Sequence, residues 1–192
     1  MTPPKIVAFA GSLRAGSFNK LLAGIAAESA RAAGAEVTVV DLRDLSLPVF
    51  DQDLEDAGGL PDGAKKLKAL LRESDGFLIA SPEYNSSVTA ALKNAIDWAS
   101  RAETDDEPPL AAFRGKAAAI MAASPGGLGG IRGLVHLRAI LGNIGVHVLP
   151  DQVTISSAHE VFQGGKLVDE RKGKQIAALA TQLVEFTKKH RA

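Results

Sequence analysis

A serine-rich turn with one arginine follows the first apolar run of the chain, at residues 11–19, whose sequence is Gly-Ser-Leu-Arg-Ala-Gly-Ser-Phe-Asn. Where a strand leads into a helix, the free N–H groups of the first helical turn and the helix dipole both favour an anion. Ser12, Ser17 and Asn19 add short hydroxyl and amide donors. Arg14 adds a planar guanidinium that suits phosphate oxygens. The turn predicts a phosphate site, and the alternative is a serine-capped helix start with Arg14 in solvent.

The pattern of this turn also indicates which kind of phosphate it suits. It contains neither the G-x-G-x-x-G of dinucleotide-binding folds nor the G-x-x-x-x-G-K-[ST] of P-loops. Serine hydroxyls and an arginine match a terminal phosphomonoester, which carries two negative charges and more acceptor oxygens than a diester. We therefore expect a mononucleotide.

A second polar turn, Ser-Pro-Glu-Tyr-Asn-Ser at residues 81–86, follows the third apolar run. Pro82 stiffens this turn because its ring fixes the backbone. Three residues can present backbone N–H groups to the edge of a flat heteroaromatic ring: Glu83, Tyr84 and Asn85. The alternative is a turn that only caps the helix expected at residues 88–100.

A third turn, Ser-Pro-Gly-Gly-Leu-Gly-Gly at residues 124–130, follows the fourth apolar run. It departs from the dinucleotide fingerprint because Arg132 occupies the place of the third glycine. We interpret it as a glycine-rich loop that lets a ring edge lie against backbone amides. A flexible turn without a ligand is the alternative.

Five apolar runs that alternate with amphipathic stretches must position these turns. The strands are expected at residues 5–10, 36–41, 76–81, 116–123 and 146–155. Most are apolar on both faces, as a covered parallel sheet requires, whereas residues 36–41 alternate and are placed nearer an edge. The pattern predicts a doubly wound α/β sheet of order 2-1-3-4-5, in which ligands bind at the carboxyl ends of strands 1 and 3.

The helices and the longer loops follow from the same alternation. A helix is expected over residues 61–74, and Gly34 is expected to end the first helix in a left-handed conformation. The irregular stretches 41–59 and 101–114 are candidates to frame a cleft. The last helix places an apolar stripe on one face: Ile176, Leu179, Leu183 and Phe186.

Composition narrows the class of protein. The 192 residues fit a single domain, 1–192, and Lys plus Arg equals Asp plus Glu at 22 each, so no net charge draws the chain to nucleic acid or an anionic membrane. The absence of cysteine excludes disulfides, thiolate metal sites and cysteine nucleophiles, and it fits a cytoplasmic protein. No metal site is expected, because the 4 histidines lack ligand spacing.

With these motifs the sequence resembles the NADPH-dependent FMN reductase family, the flavodoxin-like quinone, chromate and azo-dye reductases. The family pattern G-S-x-R-x-x-S-x-N occurs at residues 11–19, P-E-Y-N at 82–85 and L-K-N-A-I-D-W at 92–98. The resemblance extends from residue 5 to residue 141. It implies a flavodoxin-like fold with FMN as cofactor and NAD(P)H as co-substrate.

The resemblance also implies site residues and assembly. The cofactor-binding residues would be Ser12, Arg14, Ser17, Phe18, Asn19, Pro82, Glu83, Tyr84, Asn85, Ser124 and Gly127. Relatives form homodimers or dimer-of-dimers tetramers, and the helix at 88–100 is a candidate dimer surface. A family tyrosine at a subunit contact is replaced by Val135, whereas Arg132 and His136 are retained.

These features predict an FMN-dependent NAD(P)H oxidoreductase that reduces quinones, azo compounds, chromate or free flavin by ping-pong hydride transfer. No catalytic residue is expected, because FMN carries the redox chemistry. The alternatives are a flavodoxin-like electron carrier and a redox-sensing FMN-binding protein. A carrier usually has a strongly acidic face and a T/S-x-T-G-x-T phosphate loop, which zero net charge and the serine–arginine turn argue against.

Overall fold

A computed structural model describes residues 2–190 of the chain. Its centre is a parallel sheet of five strands. In chain order the strands among these residues are β1 (Lys5–Ala10), β2 (Glu36–Val40), β3 (Gly76–Ala80), β4 (Glu83–Tyr84), β5 (Ser87–Val88), β6 (Ala117–Ala123), β7 (His147–Ile155), β8 (Phe162–Gln163) and β9 (Lys166–Leu167). The sheet order is β2-β1-β3-β6-β7, which confirms the predicted 2-1-3-4-5 arrangement.

The helices cover both faces of this sheet. They are α1 (Phe18–Ala32), α2 (Gln52–Gly58), α3 (Asp62–Glu73), α4 (Ala90–Ala99), α5 (Ile131–Asn143), α6 (Ala158–Val161) and α7 (Glu170–His190), with a 3₁₀ helix at Leu42–Leu45. One core lies between the sheet and α1 and α7, and the second lies between the sheet and α3, α4 and α5. Every residue of β3 and β6 is therefore buried.

The edge position of β2 is visible in its exposure. Thr38 and Val39 are exposed, and Val37 is buried against α1. This confirms the expectation from its alternating pattern. The predicted strand bounds differ from the observed ones by at most one residue: β2 and β3 end one residue earlier, and β6 and β7 begin one residue later.

The predicted helix features are also present. Gly34 follows α1 with a φ of +91°, the left-handed conformation expected of it. In α7, Ile176, Leu179 and Leu183 are buried, and Phe186 packs against the same core. None of the helices within residues 2–190 combines the length and the apolar character that crossing a bilayer requires.

The two irregular stretches meet at one ion pair, in which Arg101 Nε lies 2.9 Å from Glu55 Oε1. Residues 41–59 follow the carboxyl end of β2, and with Leu13 and Asn94 they line a cavity of about 260 Å³. Residues 101–114 follow α4, which starts at the carboxyl edge of the sheet, and they end at the opposite edge, where Gly115 N donates to Gly145 O at 2.9 Å. Among the described residues, this cavity is lined by the first stretch and not by the second, and a cleft framed by both stays a prediction.

Candidate functional site

Three turns meet at the carboxyl edge of the sheet, which we name the serine loop (residues 11–17), the tyrosine hairpin (residues 82–88) and the glycine loop (residues 124–130). They follow β1, β3 and β6, which are neighbours in the sheet. Gly11 N donates to Ala80 O at 2.9 Å, and Ser81 N donates to Met121 O at 2.8 Å. Hydrogen bonding between the strands therefore continues to the first residue of the serine loop and to the residue just before the tyrosine hairpin.

The serine loop combines hydroxyl groups with free amides. Ser12 and Ser17 are buried, and their oxygens accept hydrogen bonds from Arg14 N at 3.3 Å and Asn19 N at 3.2 Å. Ser17 thereby caps α1, so the alternative expected from sequence, a serine-capped helix start, describes this residue too. Within residues 2–190, no hydrogen-bond partner is found for the N–H groups of Gly16 and Phe18. Both hydroxyl protons and these amides are available to an anion.

The Arg14 guanidinium lies beside this loop. Its guanidinium carbon lies 5.8 Å from the centroid of the Phe18 ring, which itself stacks on Phe162 at 5.8 Å. A Cβ atom placed on Gly16 would be 3.7 Å from Arg14 Nη1, so the guanidinium lies beside the loop backbone. No carboxylate of the described part of the chain forms an ion pair with it.

Asn19 lies at the same end of α1, but its side chain is directed at β6. Its Nδ2 donates to Ala123 O at 2.8 Å, and its Oδ1 accepts from Ala123 N at 2.9 Å, both bonds being buried. Each side of the amide group is therefore occupied by backbone. This geometry shows that Asn19 ties the start of α1 to the end of β6.

The second turn is a short β-hairpin. Strands β4 and β5 pair antiparallel, and Asn85 and Ser86 connect them with φ values of 50° and 66°. Two positive φ values are typical of a type I′ turn, which Asn at the first position favours. The pairing is only two residues long on each side, and the sequence analysis predicted a turn without strands. Pro82 is buried, and Tyr84 and Asn85 are exposed.

Thr89, which the sequence analysis missed, joins the tyrosine hairpin to the serine loop. It is buried, its Oγ1 donates to Gly11 O at 2.6 Å, and it accepts from Leu92 N at 3.1 Å as the cap of α4. A threonine directly before a helical pattern is a recognisable cap signal. The capping role left open for the turn at residues 81–86 therefore belongs to Thr89.

Glu83 turns its side chain toward α5. Its carboxylate accepts from Arg132 N at 2.9 Å and Gly133 N at 3.1 Å, and it forms an ion pair with the Arg132 guanidinium at 2.5 Å. Burial opposes ionisation of this carboxyl, but the hydrogen bonds from Arg132 and Gly133, with the positive charge of Arg132, lower the pKa of Glu83 below its usual value. Only the backbone of Glu83 is left to face a ligand.

The glycine loop is rigid at its base and open at its tip. Gly129 and Gly130 have φ values of 61° and 87°, and a Cβ atom on Gly130 would lie 2.7 Å from Ala122 Cβ. Ser124 Oγ accepts from Gly126 N at 3.1 Å. A Cβ atom on Gly127 would meet nothing within 4 Å, and within residues 2–190 its N–H has no hydrogen-bond partner. The tip can therefore admit a flat group against its amides.

Three links, two of them buried and the one through Glu83 partly buried, connect the turns or the elements next to them. Thr89 joins the hairpin to the serine loop, Glu83 joins the hairpin to the start of α5, and Asn19 joins α1 to the end of β6. These links hold the three turns next to one another without a ligand. The edge is thus a preformed cradle, with an arginine on one side and free amides on the other.

The surroundings of the cradle include two residues retained from the family pattern and one that departs from it. His136 Nδ1 lies 2.9 Å from Ser87 Oγ, and Arg132 forms the ion pair described above. Val135 is 62% exposed on the same helix. Within residues 2–190, no cluster of three or more His, Asp or Glu side chains could hold a metal ion.

The donor set fits flavin mononucleotide. A phosphomonoester needs several donors and a cation, which the serine loop offers, and a ring edge needs amides with free space beside them, which the tip of the glycine loop offers. The serine loop and the glycine loop follow strands β1 and β6, on either side of β3. A ligand with a phosphate at one end and a flat ring at the other would extend between them.

Comparison with known proteins gives the same result. A family model described as NADPH-dependent FMN reductase matches residues 4–160. An NAD(P)H-dependent FMN reductase of Pseudomonas aeruginosa is 39% identical over 170 residues, which cover 87% of this chain and 86% of that protein. A quinone reductase of Escherichia coli is 39% identical over 137 residues, covering 71% and 69%. FerB, a flavoenzyme NAD(P)H:(acceptor) oxidoreductase of Paracoccus denitrificans, superposes with a TM-score of 0.78 at 27% identity, covering 97% and 98%.

Three observations point to the same family: the order of the sheet, the three turns with family motifs at one edge, and the extent of these similarities. The fold is flavodoxin-like, and the relatives are oxidoreductases. This chain belongs to the NADPH-dependent FMN reductase family, as an oxidoreductase with FMN as its cofactor and NAD(P)H as its electron donor.

Proposed function

We propose that this enzyme reduces small-molecule acceptors, with quinones as the main class and azo compounds, chromate and free flavin as further acceptors, by a ping-pong reaction. The observation that carries the proposal is the cradle of three linked turns, which offers an unpaired arginine at one side and free amides at the other. The Escherichia coli relative is a quinone reductase, which supports quinones as acceptors.

The residues of the cradle would divide the binding work between the two ends of the cofactor. Ser12, Arg14, Ser17 and Asn19, with the free amides of Gly16 and Phe18, would bind the phosphate. Pro82, Tyr84 and Asn85, with the backbone of Glu83, would line the ring. Ser124 and Gly127 would contact its polar edge.

When bound, FMN supplies the redox chemistry by accepting a hydride and passing electrons to the acceptor. The protein would hold the ring, and the amides at the tip of the glycine loop would stabilise the negative charge that develops on it. No side chain of the cradle is assigned a proton transfer, so we name no catalytic residue. We expect activity to depend on binding and electrostatics.

We also propose that the whole chain, 1–192, is one flavodoxin-like domain that assembles as a homodimer or as a dimer of dimers. An apolar groove of about 480 Å³ lies between α4 and α5, lined by Val88, Lys93, His136 and Ile140 among others. Helix α4 is the proposed dimer surface. Val135 replaces the family tyrosine, so a tetramer would need other contacts at that position. We propose a cytoplasmic location, where NAD(P)H is available as the donor.

A ping-pong reaction is tested by steady-state rates over a grid of NAD(P)H and quinone concentrations. A ring held by its edge leaves one face for both substrates, so they should exclude each other. We expect parallel double-reciprocal lines and competitive inhibition by a flat aromatic compound against both substrates. Intersecting lines would contradict the shared face. Rapid electron exchange with a protein partner, but no oxidation of NAD(P)H, would indicate an electron carrier instead.

A further inference from the structure

The start of helix α5 is capped from a distant part of the chain. Helix α5 has 13 residues, and its own cap position is Gly130, which offers no side chain. The two amides that Gly130 leaves unpaired, those of Arg132 and Gly133, instead donate to Glu83, which lies 49 and 50 residues earlier in the sequence. A helix N-terminus at the ligand edge of the sheet is thereby occupied by a carboxylate of the protein itself.

The two charges of this ion pair are not equally shielded from water. The Glu83 side chain is 8% exposed, whereas the Arg132 side chain is 55% exposed. Water screens the exposed guanidinium more strongly than the buried carboxylate. Toward the interior of the cradle, the pair therefore acts mainly as a negative charge.

Glu83 also brings the tyrosine hairpin close to the glycine loop, and these are the two turns that would hold the flavin ring. It directly precedes Tyr84 in the tyrosine hairpin, and a Cβ atom on Gly130 would be 3.8 Å from Glu83 Cβ. A Cβ atom on Gly133 would be 3.4 Å from it. The Cβ atom of Glu83 thus borders the glycine loop, and its carboxylate accepts from the amides of Arg132 and Gly133 just beyond that loop. In the proposed site, the amides of the glycine loop would face the ring edge.

We infer that Glu83 is a positioning residue that also lowers the reduction potential of the bound flavin. This inference rests on the proposed function, because it requires FMN in the cradle. Hydride uptake adds one negative charge to a flavin ring, and a buried carboxylate nearby disfavours that charge. A lower potential leaves more driving force for passing electrons to the acceptor.

The test compares the affinities of oxidised and reduced FMN in the wild-type protein and in Glu83→Gln. The variant keeps the shape of the side chain and removes its charge. Affinity for oxidised FMN is measured by fluorescence titration, and the midpoint potential by anaerobic equilibration with a redox dye. We expect the ratio of the affinity for reduced FMN to the affinity for oxidised FMN to be about tenfold higher in Glu83→Gln than in the wild-type protein. For a two-electron couple this ratio raises the midpoint potential by about 30 mV.

A second variant separates the electrical effect from a loss of structure. Arg132→Gln removes the positive partner, and we expect its flavin potential to fall below that of the wild-type protein. Opposite shifts from the two halves of one ion pair cannot come from general loosening of the hairpin. Glu28→Gln, which removes half of the exposed Glu28–Arg31 pair, is the matched control and should leave the potential unchanged.

The outcomes distinguish the inference from the proposed function. Suppose that the wild-type protein binds FMN. If the flavin potential is then equal in all variants, or shifts in the same direction in Glu83→Gln and Arg132→Gln, the role of Glu83 is overturned and the reductase assignment stands. Wild-type protein that binds no FMN would overturn both.

Discussion

Replacing Asn19 by leucine is expected to lower the thermal midpoint of unfolding by about 10 °C. Leucine has nearly the same size but cannot bond Ala123, whose N–H and C=O groups would then be buried without partners. Each unsatisfied group costs about 1–3 kcal/mol. For a chain of this length, about 1 kcal/mol corresponds to about 2–4 °C. Thermal unfolding followed by circular dichroism measures the shift.

The control for this substitution is another amide in an exposed bond. Gln182 Nε2 donates to Asp151 at 2.9 Å on the surface, so Gln182→Leu should change the midpoint by no more than about 2 °C. If Asn19→Leu were as stable as Gln182→Leu, the link between α1 and β6 would contribute nothing measurable to the free energy of unfolding. FMN affinity should fall in Asn19→Leu as well, because the serine loop loses its anchor.

Removing the side chain of Arg14 is expected to weaken FMN binding about ten- to a hundred-fold. A hydrogen bond to a charged group contributes about 1.5–3 kcal/mol, and about 1.4 kcal/mol is a factor of ten in affinity. Stability of the apoprotein should change little in Arg14→Ala, because the guanidinium is exposed and makes no ion pair among residues 2–190. Quenching of flavin fluorescence on titration measures the affinity.

Two further variants define what Arg14 contributes. Arg14→Lys keeps the charge but loses the planar fork, so its affinity should lie between those of the wild-type protein and Arg14→Ala. Arg171, an exposed arginine in the first turn of α7, provides the control, and Arg171→Ala should bind FMN normally. Equal affinity in Arg14→Ala and the wild-type protein would show that the arginine does not reach the phosphate.

Periodicity made the sheet predictable from sequence. Runs such as Gly76–Ala80 are apolar on both faces, and only a parallel sheet covered by helices buries both. The turns could be located for the same reason, because each follows the end of such a run. The roles of individual side chains were less accessible, since they depend on partners far away in the chain.

Glu83 and Asn19 show this limit. Their motif positions predicted contact with a ligand, which stays a prediction, and did not predict the bonds of Glu83 to Arg132 and of Asn19 to Ala123. Separations of 49 and 104 residues leave no local pattern from which such pairs could be inferred. Thr89 is the opposite case, because its capping position before α4 is a local signal that the sequence analysis passed over.

We expect the cradle to hold FMN and NAD(P)H to reduce this FMN directly. The most direct measurement is anaerobic mixing of the FMN-loaded protein with NADPH or NADH, followed by the loss of flavin absorbance, after the released cofactor has been identified by chromatography. We expect about one FMN per chain and no FAD. The reduced nicotinamide alone should bleach the flavin, and addition of a quinone should restore its absorbance. Recovery of FAD, or a bound flavin that stays oxidised in excess NADPH and NADH, would contradict this expectation.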